Sequence, residues 1–115
     1  MNKIYYLASC STCARIMDEL KLKQKKFILQ DIKSESISKE QLDDMKKLAG
    51  SYEALFSRVA LKYKTLDPKP ATEAEYKKLI LEEYTFLKRP VIISKGKIFV
   101  GNSKKNVEEA RLTIG

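Results

Sequence analysis

The first 31 residues combine a short apolar strand, a pair of cysteines and a helix-forming segment, and this order restricts the possible fold most strongly. Residues 3–7 (KIYYL) and residues 27–31 (FILQD) are rich in the aromatic and β-branched side chains of strands. Between them, Ala14, Met17 and Leu20 recur at helical spacing. A strand, a helix and a second strand predict a βαβ unit with parallel strands and a right-handed crossover.

The helix of this unit begins within the sequence Cys10-Ser11-Thr12-Cys13. Ser, Thr, Asp and Asn are the side chains that most often cap the first turn of a helix. We therefore expect Ser9 or Ser11 to be the capping residue.

Further along the chain, capping signals predict two more helices. Ser38 and Thr72 are each followed three residues later by Gln or Glu, which is the pattern of a capping box. Gly50 is a typical stop for the first of these helices. Apolar spacing predicts a short helix over residues 52–60 as well, and residues 67–70 (DPKP) break the chain before the second capped helix.

The last third of the chain predicts a β-hairpin and a final helix. Pro90 opens a strand over residues 89–93, at one of the few positions where a strand tolerates proline. Residues 94–97 (SKGK) predict the turn and residues 98–100 the second strand. Ser103 is in place to cap the last helix.

Together these elements predict a single α/β domain over residues 1–115. A β-α-β half at about residues 1–34 and a β-β-α half at about residues 86–115 form its core. The helices at about residues 35–85 are expected to be a helical subdomain inserted between the two halves.

Cys10 and Cys13 are the strongest chemical signal in the sequence. A helix N-terminus presents unpaired N–H groups and a partial positive charge, and both favour a thiolate at Cys10. Cys13 lies one turn further on, within reach for a disulfide. Beside a βαβ unit, such a CxxC pair is typical of a redox site. The alternative is that the two residues are inert buried thiols.

Ser11 and Thr12 complete the loop between the cysteines. Their hydroxyls and the local N–H groups suit an oxyanion, as helix N-termini often do. Plain helix capping is the alternative role, and the two roles are compatible.

The composition excludes several classes of function. The chain has no histidine, which removes Ser/His/Asp triads and Cys/His dyads. A zinc site needs two ligands beyond Cys10 and Cys13, and the sequence has no further Cys or His, so we expect no metal. The net charge of +8 is compatible with an anionic partner. Because the lysines are mixed with Glu and Asp, we expect a solvated surface without direct nucleic-acid binding.

No segment predicts export or membrane insertion. The N-terminal residues lack a long apolar stretch followed by a cleavage site. No run approaches the ~20 apolar residues of a membrane span. We therefore expect a cytoplasmic protein without membrane contact. We also expect a monomer.

The chain resembles the ArsC/Spx family. The resemblance rests on the Tyr-containing strand before Cys10, the CxxC pair, the helical insertion, and residues 87–93 (LKRPVII) with Val100 and Gly101 following. It covers nearly the whole chain and implies a thioredoxin-like fold with an extra helical subdomain. In that fold Pro90 is a cis-proline facing the active cysteine, and a trans proline at a strand edge is the alternative.

For the arsenate-reducing branch, the resemblance implies that Cys10 is the nucleophile that attacks arsenate. An external thiol, from glutathione with glutaredoxin or from thioredoxin, then completes the reduction, and no bound cofactor is expected. Arg89 matches an arginine that holds the oxyanion, since guanidinium is a planar fork for such groups. Arg58 falls near a second such arginine, with an exposed helix arginine as the alternative.

The predicted site therefore has a catalytic and a substrate-binding part. Cys13 is expected to resolve an adduct or mixed disulfide formed on Cys10. The complete prediction is Cys10, Cys13 and Arg89 as catalytic residues, with Ser11, Thr12, Arg58 and Pro90 at the substrate.

Several departures from the family pattern leave the substrate open, two missing arginines among them. A third arginine of the family falls here at Gly101-Asn102, and another that follows the active-site loop falls at Ala14, beside Arg15. The first interpretation is a thiol oxidoreductase acting on an oxyanion or a disulfide. The Spx branch implies the alternative, a redox-sensing regulator that binds the RNA polymerase α subunit, because Gly50 lies near a glycine of that contact. The third interpretation is a glutathione-dependent thiol reductase of the same family.

Overall fold

The computed structural model describes residues 2–115, and the chain divides into two compact units. The first unit comprises the described residues up to Ser36 together with Arg89–Gly115, and the second is Ile37–Lys88. None of the described helices is both long enough and apolar enough to cross a lipid bilayer. The helices and strands are β1 (Lys3–Tyr6), α1 (Ser11–Leu20), β2 (Ile28–Asp31), α2 (Lys39–Ala49), α3 (Glu73–Glu82), β3 (Val91–Ser94), β4 (Lys97–Val100) and α4 (Lys104–Ile114).

The first unit is built on a four-stranded sheet in the order β2-β1-β3-β4. β1 and β2 are parallel, which confirms the predicted βαβ unit, and β3 pairs antiparallel with both β1 and β4. Ile4 lies opposite Ile92 across β1 and β3. The two side chains share one core with Ile16 and Leu20 of α1 and with Ala110 of α4, so both helices pack on the same face of the sheet. Burial stabilises the fold by about 1.5–3 kcal/mol for each large aliphatic side chain.

The predicted hairpin is confirmed, with β3 and β4 joined at Lys95 and Gly96. These residues have φ values of 54° and 76°, and positive φ at both central residues is the signature of a type I′ turn. Pro90 lies just before β3, one residue earlier than the regular strand, and its carbonyl accepts the N–H of Gly101 at 2.9 Å. This bond joins the start of β3 to the end of β4.

In the second unit, both predicted capping boxes are confirmed. The Ser38 hydroxyl accepts the N–H of Gln41 at 3.0 Å at the start of α2. The Thr72 hydroxyl accepts the N–H of Glu75 at 3.3 Å at the start of α3. In each helix the Gln or Glu side chain also accepts the backbone N–H of the capping residue. Gly50 ends α2 with a φ of 99°, a conformation that glycine adopts without strain.

The helix predicted over residues 52–60 is wrong. Only Glu53–Leu55 is helical, as a single 3₁₀ turn, and Phe56 is extended. Phe56 forms an isolated antiparallel bridge with Leu87. Two backbone hydrogen bonds of 2.7 and 2.8 Å flank that bridge. Pairing with a distant segment thus holds this backbone extended, although its apolar residues occur at helical spacing.

Candidate active site

Cys10 is the N-cap residue of α1, at the end of the loop that leaves β1. Its N–H donates to the Leu7 carbonyl at 3.0 Å, and its own carbonyl accepts the N–H of Ala14 at 3.1 Å. The loop is therefore a tight turn that leads straight into the first turn of the helix. The Cys10 side chain is partly exposed, whereas Cys13 is 0% exposed. A molecule in solution therefore has access to Cys10 and not to Cys13.

The expectation that Ser9 or Ser11 caps α1 is wrong. Ser11 is the first helical residue, Ser9 lies in the preceding turn, and no side-chain hydroxyl caps the helix. The cysteine itself occupies the capping position. The backbone N–H groups of the first turn are consequently left to interact with its sulfur.

The Cys10 thiol is more acidic than an ordinary cysteine. Burial raises the pKa of Cys10, but four interactions act against burial. They come from the backbone N–H of Cys13, the Cys13 side chain, the backbone N–H of Thr12 and the positive charge of Arg89. Together they lower the pKa below its ordinary value, because each of them favours the charged form of the thiol. The geometry of the helix terminus therefore favours a Cys10 thiolate.

The pKa of Cys13 is shifted in the opposite direction, above its ordinary value. Burial, together with the hydrogen bond and the negative charge of Cys10, raises the pKa of Cys13 to about 11. A backbone hydrogen bond from Leu7 and the charge of Arg89 oppose this rise without cancelling it. At neutral pH, Cys13 is therefore a protonated thiol that donates a hydrogen bond to the Cys10 sulfur.

Arg89 and Pro90 reach the same end of the sheet from a distant part of the chain. The next residue, Val91, pairs with Tyr5 across β3 and β1, so Pro90 lies beside the end of β1 from which the Cys10 loop starts. The Arg89–Pro90 peptide bond is cis, which confirms the cis conformation predicted for Pro90. The charge of Arg89 acts on both thiols.

Arg58 lies in the second unit, where its side chain is hydrogen-bonded to other residues of that unit. Its guanidinium donates to the Glu53 carboxylate at 2.7 Å and to the hydroxyl of Tyr76 at 2.8 Å. The Tyr76 ring also lies within 5.6 Å of the guanidinium carbon. The first unit therefore contains six of the seven predicted site residues, and Arg58 belongs to the other unit.

Leu7 takes part in the site, although the sequence analysis does not identify it. Its carbonyl accepts the N–H of Cys10, and its backbone also interacts with the Cys13 sulfur and lowers the pKa of that thiol. Both contributions come from the main chain. Since any residue type supplies these groups, no signal in the sequence marks the position.

Comparison with known protein families identifies the chain. The model of the ArsC family matches residues 5–110, a range that includes both cysteines and the Arg89–Pro90 pair. The chain belongs to the ArsC family. This confirms the predicted family resemblance, and ArsC membership places the chain among thiol-dependent reductases.

Solved structures of other proteins share its fold. The arsenate reductase from Vibrio cholerae is 20% identical, with 94% of this chain and 95% of that chain covered and a TM-score of 0.76. An arsenate reductase (ArsC) related protein from Brucella melitensis is 25% identical over 94% and 92% of the two chains, with a TM-score of 0.70. A protein named YFFB is 20% identical over 100% of both chains, with a TM-score of 0.79. These similarities confirm the predicted thioredoxin-like α/β fold. No curated protein sequence matches the chain significantly.

Proposed function

We propose that this ArsC-family chain is a cytoplasmic thiol-dependent reductase with Cys10 as the nucleophile and Cys13 as the resolving thiol. The proposal rests on the opposite displacement of the two pKa values. That of Cys10 lies below its ordinary value, and that of Cys13 is raised to about 11. Burial alone would raise both values, so the asymmetry separates this pair from two inert buried thiols. The Cys10 sulfur is favoured as the attacking thiolate, and the Cys13 sulfur is favoured as a protonated thiol.

In the first step the Cys10 thiolate attacks the substrate. With arsenate, a sulfur–arsenic bond forms and one arsenic–oxygen bond breaks, and the oxygen leaves as water after protonation by solvent. Arsenic stays pentavalent in this adduct. With a disulfide substrate, Cys10 instead forms a mixed disulfide and the second sulfur leaves as a thiolate.

In the second step Cys13 resolves the adduct. A Cys10 sulfur that has formed a covalent bond has lost its negative charge, so it no longer raises the pKa of Cys13. The Cys13 thiolate then attacks the Cys10 sulfur, a disulfide forms between them, and the electron pair of the broken bond goes to the leaving group. Arsenic is thereby reduced to the trivalent state, while the two thiols lose two electrons.

An external thiol must then restore the dithiol. Because Cys13 is 0% exposed and Cys10 is partly exposed, this thiol attacks at Cys10. We assign the reaction to glutathione with glutaredoxin or to thioredoxin. No bound cofactor takes part in this scheme.

Ser11, Thr12, Arg89 and Pro90 are proposed to position the substrate. The N–H groups at the start of α1 and the Arg89 charge support an anionic substrate, because both already favour negative charge on the Cys10 sulfur. Arg58 is assigned to the same role. To bind an anion its guanidinium has to exchange its present carboxylate and phenol partners.

The test is production of arsenite from arsenate by the purified protein, supplied with glutathione and glutaredoxin or with reduced thioredoxin. We expect turnover by the natural sequence, none by Cys10→Ser, and a trapped mixed disulfide on Cys10 in Cys13→Ser. Full turnover by Cys13→Ser would mean that the external thiol resolves the adduct. Turnover with disulfides but not with arsenate would assign the substrate class to disulfides.

The Spx-type alternative is distinguished with the same preparations. It predicts a stable complex with the C-terminal domain of the RNA polymerase α subunit that changes when Cys10 and Cys13 are oxidised. A redox-dependent complex without any turnover would replace the reductase proposal by this regulatory one.

A further inference from the structure

The guanidinium of Arg58 binds a carboxylate of its own unit. Its Nη2 donates to Oε2 of Glu53 at 2.7 Å and to the hydroxyl of Tyr76 at 2.8 Å. Hydrogen bonds between two charged groups are shorter and stronger than bonds between neutral groups. A nitrogen that could bind the oxygen of an anionic substrate is therefore already bound to an anionic group of the protein.

Packed aromatic side chains also hold the Arg58 side chain in place. The guanidinium carbon lies 5.6 Å from the centre of the Tyr76 ring, and Tyr76 is only 6% exposed. The Tyr76 ring packs against Phe56 with 5.0 Å between the ring centres, and the Tyr63 ring meets Phe56 edge-on at 5.8 Å. Because Phe56 is fully buried, this aromatic support does not depend on the carboxylate. We therefore expect Arg58 to stay in place when the charge of its partner is removed.

The backbone around Glu53 is fixed as well. The N–H groups of Tyr52 and Glu53 donate to the two carboxylate oxygens of Glu73, at 2.7 and 3.1 Å. Leu55, two residues further on in the same 3₁₀ turn, is fully buried. The Glu53 carboxylate is thus presented to Arg58 by a short turn that is held at both of its ends.

The pair of Arg58 and Glu53 is nevertheless accessible to a ligand. The side chains are 46% and 55% exposed, respectively. The pKa of Arg58 is raised, chiefly by its hydrogen bond with Glu53. Exposed ion pairs stabilise a fold only slightly, so another anion can replace the carboxylate. An incoming oxyanion has to break this bond and is repelled by the released carboxylate, whereas an uncharged disulfide meets neither obstacle.

We propose that Glu53 is a positioning residue that sets the substrate preference of the site, because its carboxylate competes with an oxyanion for Arg58. Glu53 weakens the binding of arsenate and of other tetrahedral oxyanions and leaves the binding of uncharged disulfides unaffected. The competition shifts the preference of the chain from oxyanions towards disulfides. This inference rests on the proposed function, which assigns Arg58 to the substrate.

The kinetic test compares two substrates in Glu53→Gln, which keeps the shape of the side chain and removes its charge. The KM for arsenate should fall about threefold to fivefold, as expected for loss of an exposed ion pair. The kcat for arsenate and the KM for hydroxyethyl disulfide, which is uncharged, should each change less than about twofold. A purely structural effect of the substitution would change both substrates alike and would overturn the proposal.

Two further variants show whether Glu53 acts through Arg58. Glu82→Gln is the matched control, since Glu82 is exposed on α3 in the same unit and forms no ion pair within residues 2–115. It makes the same change in net charge and should leave the KM for arsenate unchanged. When Arg58→Gln is already present, adding Glu53→Gln should lower this KM by less than about 1.5-fold. An equal fall with and without Arg58 would overturn the proposal.

Binding is also measured without any reduction. Sulfate is a tetrahedral oxyanion that thiols do not reduce, and it is titrated at constant ionic strength while the backbone amide NMR signal of Val59 is followed. The dissociation constant should fall about threefold to fivefold in Glu53→Gln and in Glu53→Ala, and stay unchanged in Glu82→Gln. Equal constants in the natural protein and both Glu53 variants, or no sulfate binding by any of them, would overturn the proposal even if arsenate is reduced. Tighter sulfate binding in variants that reduce neither arsenate nor a disulfide would instead overturn the proposed function.

Discussion

The two thiols at the start of α1 are the same residue type and differ only in what surrounds them. Cys10 occupies the capping position, where backbone N–H groups favour its thiolate, whereas Cys13 is fully buried one turn later. The hydrogen bond between them acts in opposite directions on the two pKa values. Together with the burial of Cys13 and the backbone N–H groups at Cys10, it supports the proposed roles of Cys10 as the attacking sulfur and Cys13 as the resolving one.

At the level of single residues, this account predicts an order of effects on the pKa of Cys10. Cys13→Ala removes the side-chain hydrogen bond, and Arg89→Gln removes the weakest of the lowering interactions. Both variants should raise the pKa of Cys10, and Cys13→Ala should raise it more. The rate of alkylation as a function of pH measures each value.

Two controls accompany that comparison. Arg89→Lys keeps the positive charge and should keep the pKa closer to that of the natural protein than Arg89→Gln does. Arg15→Gln removes an arginine whose side chain is 62% exposed and should leave the pKa unchanged. A larger effect from Arg89→Gln than from Cys13→Ala would contradict the assigned order.

At the level of the secondary-structure elements, the capping boxes are separately testable. Ser38→Ala and Thr72→Ala each remove a hydroxyl that accepts a backbone N–H at the start of a helix. Each should lower the free energy of unfolding by about 1 kcal/mol, measured by urea denaturation. Ser36→Ala, an exposed serine outside the helices, should change it by less than about 0.5 kcal/mol.

The hairpin offers a stabilising change. Lys95 has a φ of 54° at the first central position of the turn, which asparagine tolerates better than lysine. Lys95→Asn should therefore raise the melting temperature, by about 2–4 °C for a gain of about 0.5 kcal/mol. Lys33→Asn, in an exposed turn without positive φ, is the control and should leave the melting temperature unchanged.

Elements with local signals were predictable from the sequence, and elements set by distant pairing were not. The capping boxes at Ser38 and Thr72 and the turn at Lys95-Gly96 depend on side chains within four residues of one another. The segment around Phe56 depends on its bridge with Leu87, which no local pattern reveals. Periodicity alone therefore predicted a helix there that does not form.

The candidate site, like the fold, was predictable from the sequence only in part. The CxxC pair and the Arg-Pro pair are visible in the sequence, and the register of β1 with β3 brings them to one end of the sheet. The identity of the cap was not predictable, because a cysteine is an unusual N-cap and two serines flank it. The backbone contribution of Leu7 and the pairing of Arg58 with Glu53 both depend on the folded chain.

At the level of the whole molecule, the Cys13 thiol makes stability depend on pH. Its pKa of about 11 in the folded protein exceeds the value of about 9 for an ordinary thiol. The folded state therefore resists deprotonation. This stabilisation is fully present below the pKa of the unfolded chain and is lost as pH rises through the folded value.

The reduced protein should consequently lose about 2–3 kcal/mol of its free energy of unfolding between pH 9 and pH 11 through this group. Urea denaturation of the reduced natural protein and of Cys13→Ala across that range measures the contribution of the Cys13 thiol together with the change that its removal makes in the pKa of Cys10. The disulfide form has no free thiol at position 10 or 13, so it should also lack this loss. Parallel pH profiles for all three samples would contradict the assignment.

The most direct test of the central claim is the pKa of the Cys10 thiol in the natural reduced protein. Its rate of alkylation is measured against pH, with tandem mass spectrometry separating modification at Cys10 from modification at Cys13. The account predicts that Cys10 is alkylated as a thiolate with a pKa below the value of about 9 for an ordinary thiol, while Cys13 stays unmodified at neutral pH. A Cys10 pKa at or above the ordinary value would show that the helix terminus does not activate it and would contradict its role as the nucleophile.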